Sequence, residues 1–353
     1  MSLIFDDERA TILSANLSGR EKKVYSSEIK EFLPDRIIDF HVHIGLKEHS
    51  KTVTLERRKQ SIGIGIAYAC PIENLLSIYD EIFENKEVHP FVVPFPQREA
   101  ILEKINMYVA SITRKYSNTK GALLVDPDTT SEYIERTLTE GYFKAFKPYP
   151  DRVLNKKGND VGVYDCINEN VLNAASKHRM PIFLHVPKEE RLASKENLRE
   201  IREICDRYPE VTMVIAHMGR LHCPPSIEEG IDGVSDLENV YFDTSMITNP
   251  YTFTYALRKV GPEKLVFGTD MPSTLTRGKI ICIDGRRVWA VKESYPWVKD
   301  EDRKLYEKEM DTFIPLVYED ILALKKALKT TNLMSEESTR KIFYENASEI
   351  AHL

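Results

Sequence analysis

Two hydrophobic periods alternate along this chain. Short apolar runs bounded by Gly, Pro or polar residues predict strands, and apolar residues three or four apart predict helices. The clearest run is Ile37-Ile38-Asp39-Phe40-His41-Val42-His43-Ile44-Gly45, a buried strand ended by glycine. Period-2 alternation puts Asp39, His41 and His43 on one face of it, and Ile38, Phe40 and Val42 on the other. Further strands are predicted over 88–95 (weakened by its prolines), 121–125, 142–148, 181–186, 211–217, 240–245 and 265–270. Helical periodicity covers 100–116, 168–179 and 196–208, and Asp128-Thr129-Thr130-Ser131 starts a helix ending near Gly141.

The apolar stretch 61–70 carries a Gly63-Ile64-Gly65 pattern without the third glycine or the strand–turn–helix setting of a dinucleotide fingerprint. Close backbone packing is the expected reason for its glycines, and the stretch is set aside as an insertion. Eight strands alternating with helices then remain, which predicts a (β/α)8 TIM barrel rather than an open sheet. The whole chain, 1–353, is read as one such domain. Residues 1–35 form an N-terminal extension of one or two short helices, and 45–61 and 151–163 are polar loops. An Asp284-Gly285 turn predicts a hairpin within 272–298, an insertion after strand eight placed to lid the barrel mouth. Two or three helices follow from Asp300, one of them starting at Ser335-Glu336-Glu337.

Composition narrows the partners. Forty-nine basic and 55 acidic residues give a net charge of -6, and they are interspersed, so no nucleic-acid surface is expected. No apolar run approaches the ~18 residues of a membrane span. The acidic opening Met1-Ser2-Leu3-Ile4-Phe5-Asp6-Asp7-Glu8 lacks the basic start of a signal peptide, which makes the cytoplasm the expected compartment. Five cysteines (Cys70, Cys166, Cys205, Cys223 and Cys282) lack framework spacing and are expected as free thiols. The expected partner is a small-molecule substrate, with a homodimer expected by analogy with other barrel enzymes.

The chemistry sits at strand ends. Two imidazoles two residues apart on a buried strand are costly to desolvate, and a bound cation is their simplest compensation. His43, His185, His217 and Asp270 each fall at the end of a predicted strand, and a barrel directs those ends to one mouth. Histidine with aspartate is a ligand set for zinc or a similar divalent ion.

The segments Asp39-Phe40-His41-Val42-His43, Phe183-Leu184-His185-Val186, Ile215-Ala216-His217-Met218-Gly219 and Phe267-Gly268-Thr269-Asp270-Met271-Pro272 resemble the amidohydrolase superfamily. The branch they are most similar to is amidohydrolase-2, metal-dependent TIM-barrel hydrolases and decarboxylases. Val240-Tyr241-Phe242-Asp243-Thr244-Ser245 and Lys341-Ile342-Phe343-Tyr344-Glu345-Asn346-Ala347 look like that branch too, whereas 1–35, 45–87 and 272–330 match poorly. The resemblance implies metal ligation by His41, His43, His185 and Asp270. His217 is then an acid/base or carbonyl polariser, and Asp270 also accepts the proton of the attacking water. A catalytic zinc must keep a position for water, so five protein ligands on one ion are too many. One divalent ion is expected, zinc before manganese or iron(II).

The superfamily's binuclear sites use a carboxylated lysine on strand four, where Lys147 stands. An unmodified lysine is cationic, and Lys147 is preferred here as a cation for a substrate carboxylate or oxyanion. Tyr149, Arg220 and His222 are further candidate substrate contacts, and Asp39 could orient an imidazole. The leading activity is hydrolysis of an amide, lactone or ester in a small carboxylate-bearing substrate. The alternative is non-oxidative decarboxylation of an aromatic or dienoic acid, and the third is a barrel that binds metal or ligand without turnover.

Overall fold

A computed structural model of the chain describes residues 10–353 and, ahead of them, the strand Ile4–Phe5. That strand pairs with Ile12–Ser14, and the rest of the acidic opening lies outside the described residues. Eight parallel strands form one sheet: β1 (Arg36–Ile44), β2 (Glu87–Pro94), β3 (Lys120–Val125), β4 (Phe143–Pro148), β5 (Ile182–Leu184), β6 (Met213–Ile215), β7 (Val240–Asp243) and β8 (Leu265–Val266). Their order in the sheet is their order in the chain. Residues just past β8 close the ring on β1: Phe40 N donates to Phe267 O (3.0 Å), His43 N to Met271 O (2.8 Å) and Asp270 N to His41 O (2.6 Å). This is the predicted TIM barrel.

A helix of the outer ring follows each strand, among other short helices: α1 (Ile72–Ile82), α2 (Leu102–Lys115), α3 (Ser131–Glu140), α4 (Glu169–His178), α5 (Lys195–Arg207), α6 (Ser226–Asp232), α7 (Pro250–Val260) and α8 (Leu316–Thr330). Thr130 and Asn168 cap α3 and α4 by accepting from the Tyr133 and Val171 amides. Within the barrel Phe40 stacks on Phe91 at 4.3 Å between ring centres and packs on Phe183. Ala347, Ile350 and Ala351 from the C-terminal turn plug the end opposite the mouth, so that end is apolar and closed.

Two expectations change. The 61–70 stretch is a short helix, Ile62–Ile66, whose Ile62, Gly63 and Ile64 line the mouth. Close packing explains Gly65, where a Cβ would meet Trp297 Cδ1 at 2.5 Å, but not Gly63, where a Cβ would meet Ser273 Oγ at an unstrained 4.0 Å. The hairpin is present as β9 (Gly278–Ile283) and β10 (Arg286–Val291), with Asp284 and Gly285 both left-handed, as a type I′ turn requires. Its Cys282 is disulfide-bonded to Cys223, Cα atoms 5.5 Å apart, which corrects the expectation of five free thiols. The two are 59 residues apart and meet only because the hairpin folds over the loop after β6. Cys70, Cys166 and Cys205 are free and buried. Among the described residues no helix is long and apolar enough to cross a membrane.

Candidate metal centre and active site

The geometry starts with an irregularity in β1. The ladder to β2 shifts register between Asp39 and Val42. Phe40 and His41 therefore both turn inward, and strict alternation fails there. Asp39, expected beside the imidazoles, points into the helix layer instead. Its carboxylate accepts from Tyr79 Oη (2.7 Å), Thr269 Oγ1 (2.6 Å), Thr269 N (2.9 Å) and His41 N (3.2 Å). Burial pushes its pKa up to about 7 despite these donors. Asp39 thus fixes the backbone of β1 and the segment after β8, not an imidazole.

The imidazoles are oriented by other acceptors. His41 Nδ1 faces Asp243 Oδ2 at 3.0 Å, and His43 Nδ1 faces the Pro94 carbonyl oxygen at 3.3 Å. A carbonyl can only accept, so His43 carries its proton on Nδ1, and the Asp243 carboxylate selects the same tautomer for His41. Both Nε2 lone pairs then converge on Asp270 Oδ1, at 3.3 Å from His41 and 3.0 Å from His43. Two lone pairs and a carboxylate oxygen aimed at one point repel unless a cation lies among them, so the donor set fits a divalent metal. Burial, then the charges of Lys147 and His43, hold His41 well below the usual imidazole pKa, in the neutral form that ligation needs.

Non-glycine residues with positive φ cluster at the mouth. His217 (φ 54), Met218 (49) and Arg220 (63) run consecutively with Gly219 (70), and Met246 (62) and Asp270 (54) follow β7 and β8. Each costs on the order of 1–3 kcal/mol, a strain that concentrates where side chains must be aimed. The left-handed run swings the His217 amide onto Asp243 Oδ2 at 2.9 Å. Ser245 donates its hydroxyl to the same oxygen at 2.6 Å, and its Oγ lies 2.8 Å from His217 Nδ1. With its hydrogen committed to Asp243, Ser245 Oγ accepts from His217 Nδ1, leaving Nε2 as the free nitrogen. Burial and the neighbouring His41 lower the His217 pKa well below its usual value. Gly268 is required by this crowding: a Cβ there would lie 2.6 Å from His41 Cβ and run into the Asp243 carboxylate.

Asp243 and Ser245, present in the sequence motif without an assigned role, are what orient the His41 and His217 rings. The lone-pair directions of His41 and His217 depend on them. The signal was available in the polar Asp243-Thr244-Ser245 ending of an otherwise apolar strand.

The remaining candidates divide. His185, half-buried, lines the same cavity, its ring centre 5.1 Å from His217 and 4.7 Å from Tyr149. Two compact groups have ligand atoms within 4.8 Å of one another, His41–His43–Asp270 and His41–His217–Asp243, and His185 is in neither. Lys147 is fully buried behind the cavity wall, its ammonium 3.7 Å from the Phe183 ring centre and without a hydrogen-bond partner. Burial lowers its pKa to about 8, against the pull of Asp243 and Asp270. It is therefore neither a solvated lysine nor in the wall that would touch a substrate, and it reaches the site through its charge. Tyr149, Arg220 and His222 do line the cavity, of about 400 Å³, together with Arg57, Arg191, Arg287 and Trp289, which the sequence reading missed.

Solved structures share this architecture at low identity. A putative 2-pyrone-4,6-dicarboxylic acid hydrolase from Pseudomonas putida is 13% identical with a TM-score of 0.53, covering 91% of this chain and 98% of its own. An amidohydrolase from Burkholderia multivorans with bound zinc is 11% identical with a TM-score of 0.56, over 90% and 99%. Amidohydrolase 2 from Bifidobacterium longum subsp. infantis is 14% identical with a TM-score of 0.55, over 91% and 100%. These likenesses establish the fold. No curated protein matches the chain by sequence. The amidohydrolase family profile, by contrast, matches residues 38–350, from the strand that carries His41 and His43 to the C-terminal plug, and this chain belongs to that family of enzymes.

Proposed function

We propose that this protein is a metal-dependent hydrolase of a C–N or C–O bond, in an amide, lactone or ester, acting on a small carboxylate-bearing substrate. The observation that carries the reading is the convergence of the His41 and His43 Nε2 atoms on Asp270 Oδ1, with both Nδ1 atoms turned to fixed acceptors. His41, His43 and Asp270 would hold one ion, with His185 as the fourth protein ligand. Zinc is the ion proposed, supported by the zinc in the Burkholderia structure, with manganese or iron(II) as the alternatives. A second, bridged ion would need Lys147 carboxylated; Lys147 is instead taken as an uncarboxylated cation, with a pKa that burial lowers only to about 8.

When bound, such an ion acidifies a water from a pKa of 15.7 toward about 7 and polarises a carbonyl. The chain's own groups do the rest. Asp270 takes the water proton on Oδ2 as the water oxygen bonds to the carbonyl carbon, and the pKa that burial raises suits it to that task. His217 rests neutral with Nε2 bare. A proton taken up there from solvent as the substrate binds would let it donate to the oxygen on which negative charge develops, and that proton returns to solvent when the intermediate collapses. The proton on Asp270 then passes to the leaving nitrogen or oxygen as the C–N or C–O bond breaks, giving an acid and an amine or alcohol.

Metal analysis of the purified wild type beside His43→Ala is the first test, with stoichiometric metal expected only in the wild type. A metal-free, folded wild type sinks the reading. A screen of lactones, N-acyl compounds and small esters follows. In it Asp270→Asn should lower kcat/KM by ~10²–10⁴-fold. Release of carbon dioxide in place of a new acid would assign the decarboxylase instead.

A further inference from the structure

The cavity contains two kinds of arginine. Arg57 is neutralised: its Nε donates to Glu99 at 2.8 Å, and Asp151 pairs with it and, at 2.7 Å, with Arg98. Arg191, Arg220 and Arg287 are not, and among the described residues none of the three forms an ion pair with a carboxylate. Arg220 has one long hydrogen bond, from Nη1 to the Val186 carbonyl at 3.4 Å, and Arg191 donates to the Lys188 carbonyl. Glu189 and Glu190, both exposed, act on Arg191 alone.

The three guanidinium groups instead act on one another. Burial and then Arg191 and Arg287 hold Arg220 well below its usual pKa, and burial followed by Arg191 brings Arg287 to about 10. His222, 6% exposed and in the same wall, keeps a buried Nδ1 without a partner.

Separate elements bring these groups together. Arg191 opens the turn Arg191–Ala193 after β5 with φ 59, and Arg220 ends the left-handed run after β6. Arg287 is on β10 of the hairpin, opposite Cys282, whose disulfide to Cys223 ties it next to His222. Three half-buried cations without counter-ions are unfavourable in the free protein, and an anion from outside reverses that balance. Guanidinium forks match the oxygens of carboxylate and phosphate in pairs.

We propose that Arg191, Arg220, Arg287 and His222 form a subsite for an oxyanion group of the substrate, a carboxylate or a phosphate. The substrate is then a small acid docked under the hairpin by that group, with its reacting carbon at the His41–His43–Asp270 cluster. This rests on the reading of the same cavity as catalytic. It assigns substrate selection to the insertion after β8, through Arg287.

The test uses the full chain as purified, with metal content measured on every sample. Inorganic phosphate and tricarballylate are titrated calorimetrically at low salt into wild type, Arg220→Gln and Arg287→Gln. At least one anion should bind the wild type, more weakly as salt rises, and each variant should weaken it about tenfold or more. The tighter anion distinguishes a carboxylate from a phosphate site. Without anion both variants should melt at or above the wild-type temperature, because removing an unpaired like charge relieves repulsion. The proposal is overturned if neither anion binds, if the variants bind as tightly as wild type, or if they melt well below it. Arg-dependent binding by a metal-free protein would keep the subsite and remove the hydrolase. Full metal content with no Arg-dependent binding would do the reverse.

Discussion

Arg277 and Arg220 are both withdrawn from solvent, and their surroundings are opposite. Arg277 is 1% exposed and bound on all sides: Nε and Nη2 donate to the Glu21 carboxylate at 2.8 and 3.1 Å, and Nη2 to the Ala15 and Asn16 carbonyls at 2.8 and 3.1 Å. It clips the N-terminal helix Gly19–Val24 to the start of the hairpin, and Glu21 completes the capping box of that helix with Ser18. Arg220 lies among cations with a single long hydrogen bond. A buried charge with internal compensation holds the chain together. One without it is a demand on something outside the chain, and the barrel confines such demands to its mouth.

The comparison breaks hardest at the clip. Arg277→Ala leaves Glu21 buried and unpaired, and should cost about 3–5 kcal/mol, read as the shift in denaturant midpoint at unchanged m-value. Metal content should not change. Arg220→Gln, by contrast, should cost nothing in stability. A loss of equal size in both variants would erase the distinction between structural and functional arginines.

Asp243→Asn probes the mouth at the next scale. Asp243 selects the His41 tautomer and receives the Ser245 hydroxyl and the His217 amide. An amide at this position cannot accept on every side, so the His41 lone pair loses its fixed direction. Metal affinity should fall about 10–100-fold, measured by competition with a chelator, and the fold should persist. Unchanged affinity would mean that the His41 ring is held by packing alone.

This result also bears on what could be read in advance. That His41, His43, His185, His217 and Asp270 face one cavity was legible because strand ends in a barrel share one mouth, so position in the element was enough. Asp39 was misplaced because a one-residue shift in β1 turns side chains to the other face, and alternation cannot reveal such a shift. Arg191 and Arg287 carried no signal, since turn and hairpin positions have no periodicity and their meeting depends on how the insertion folds back. The Cys223–Cys282 pair was hidden for the same reason.

The smallest expected effect concerns the acid side of the clip. Burial alone would raise the Glu21 pKa, but hydrogen bonds from Arg277 and Ser18 outweigh it and hold the carboxyl below its usual value. A depressed folded-state pKa contributes stability that is complete above the unfolded value, near 4.3, and is lost as pH falls through the folded value. Glu21→Gln removes that titration while keeping a hydrogen-bonding side chain of the same length, so it should cost less than Arg277→Ala. The melting-temperature gap between wild type and Glu21→Gln should hold steady from about pH 7 to 5 and narrow below about 4, where both chains carry a neutral group at position 21. Other carboxylates titrate in both proteins and cancel in the difference. A gap that stays constant until the wild type itself unfolds would show that the charge of Glu21 contributes nothing, and that the clip is held by the Ala15 and Asn16 carbonyls instead.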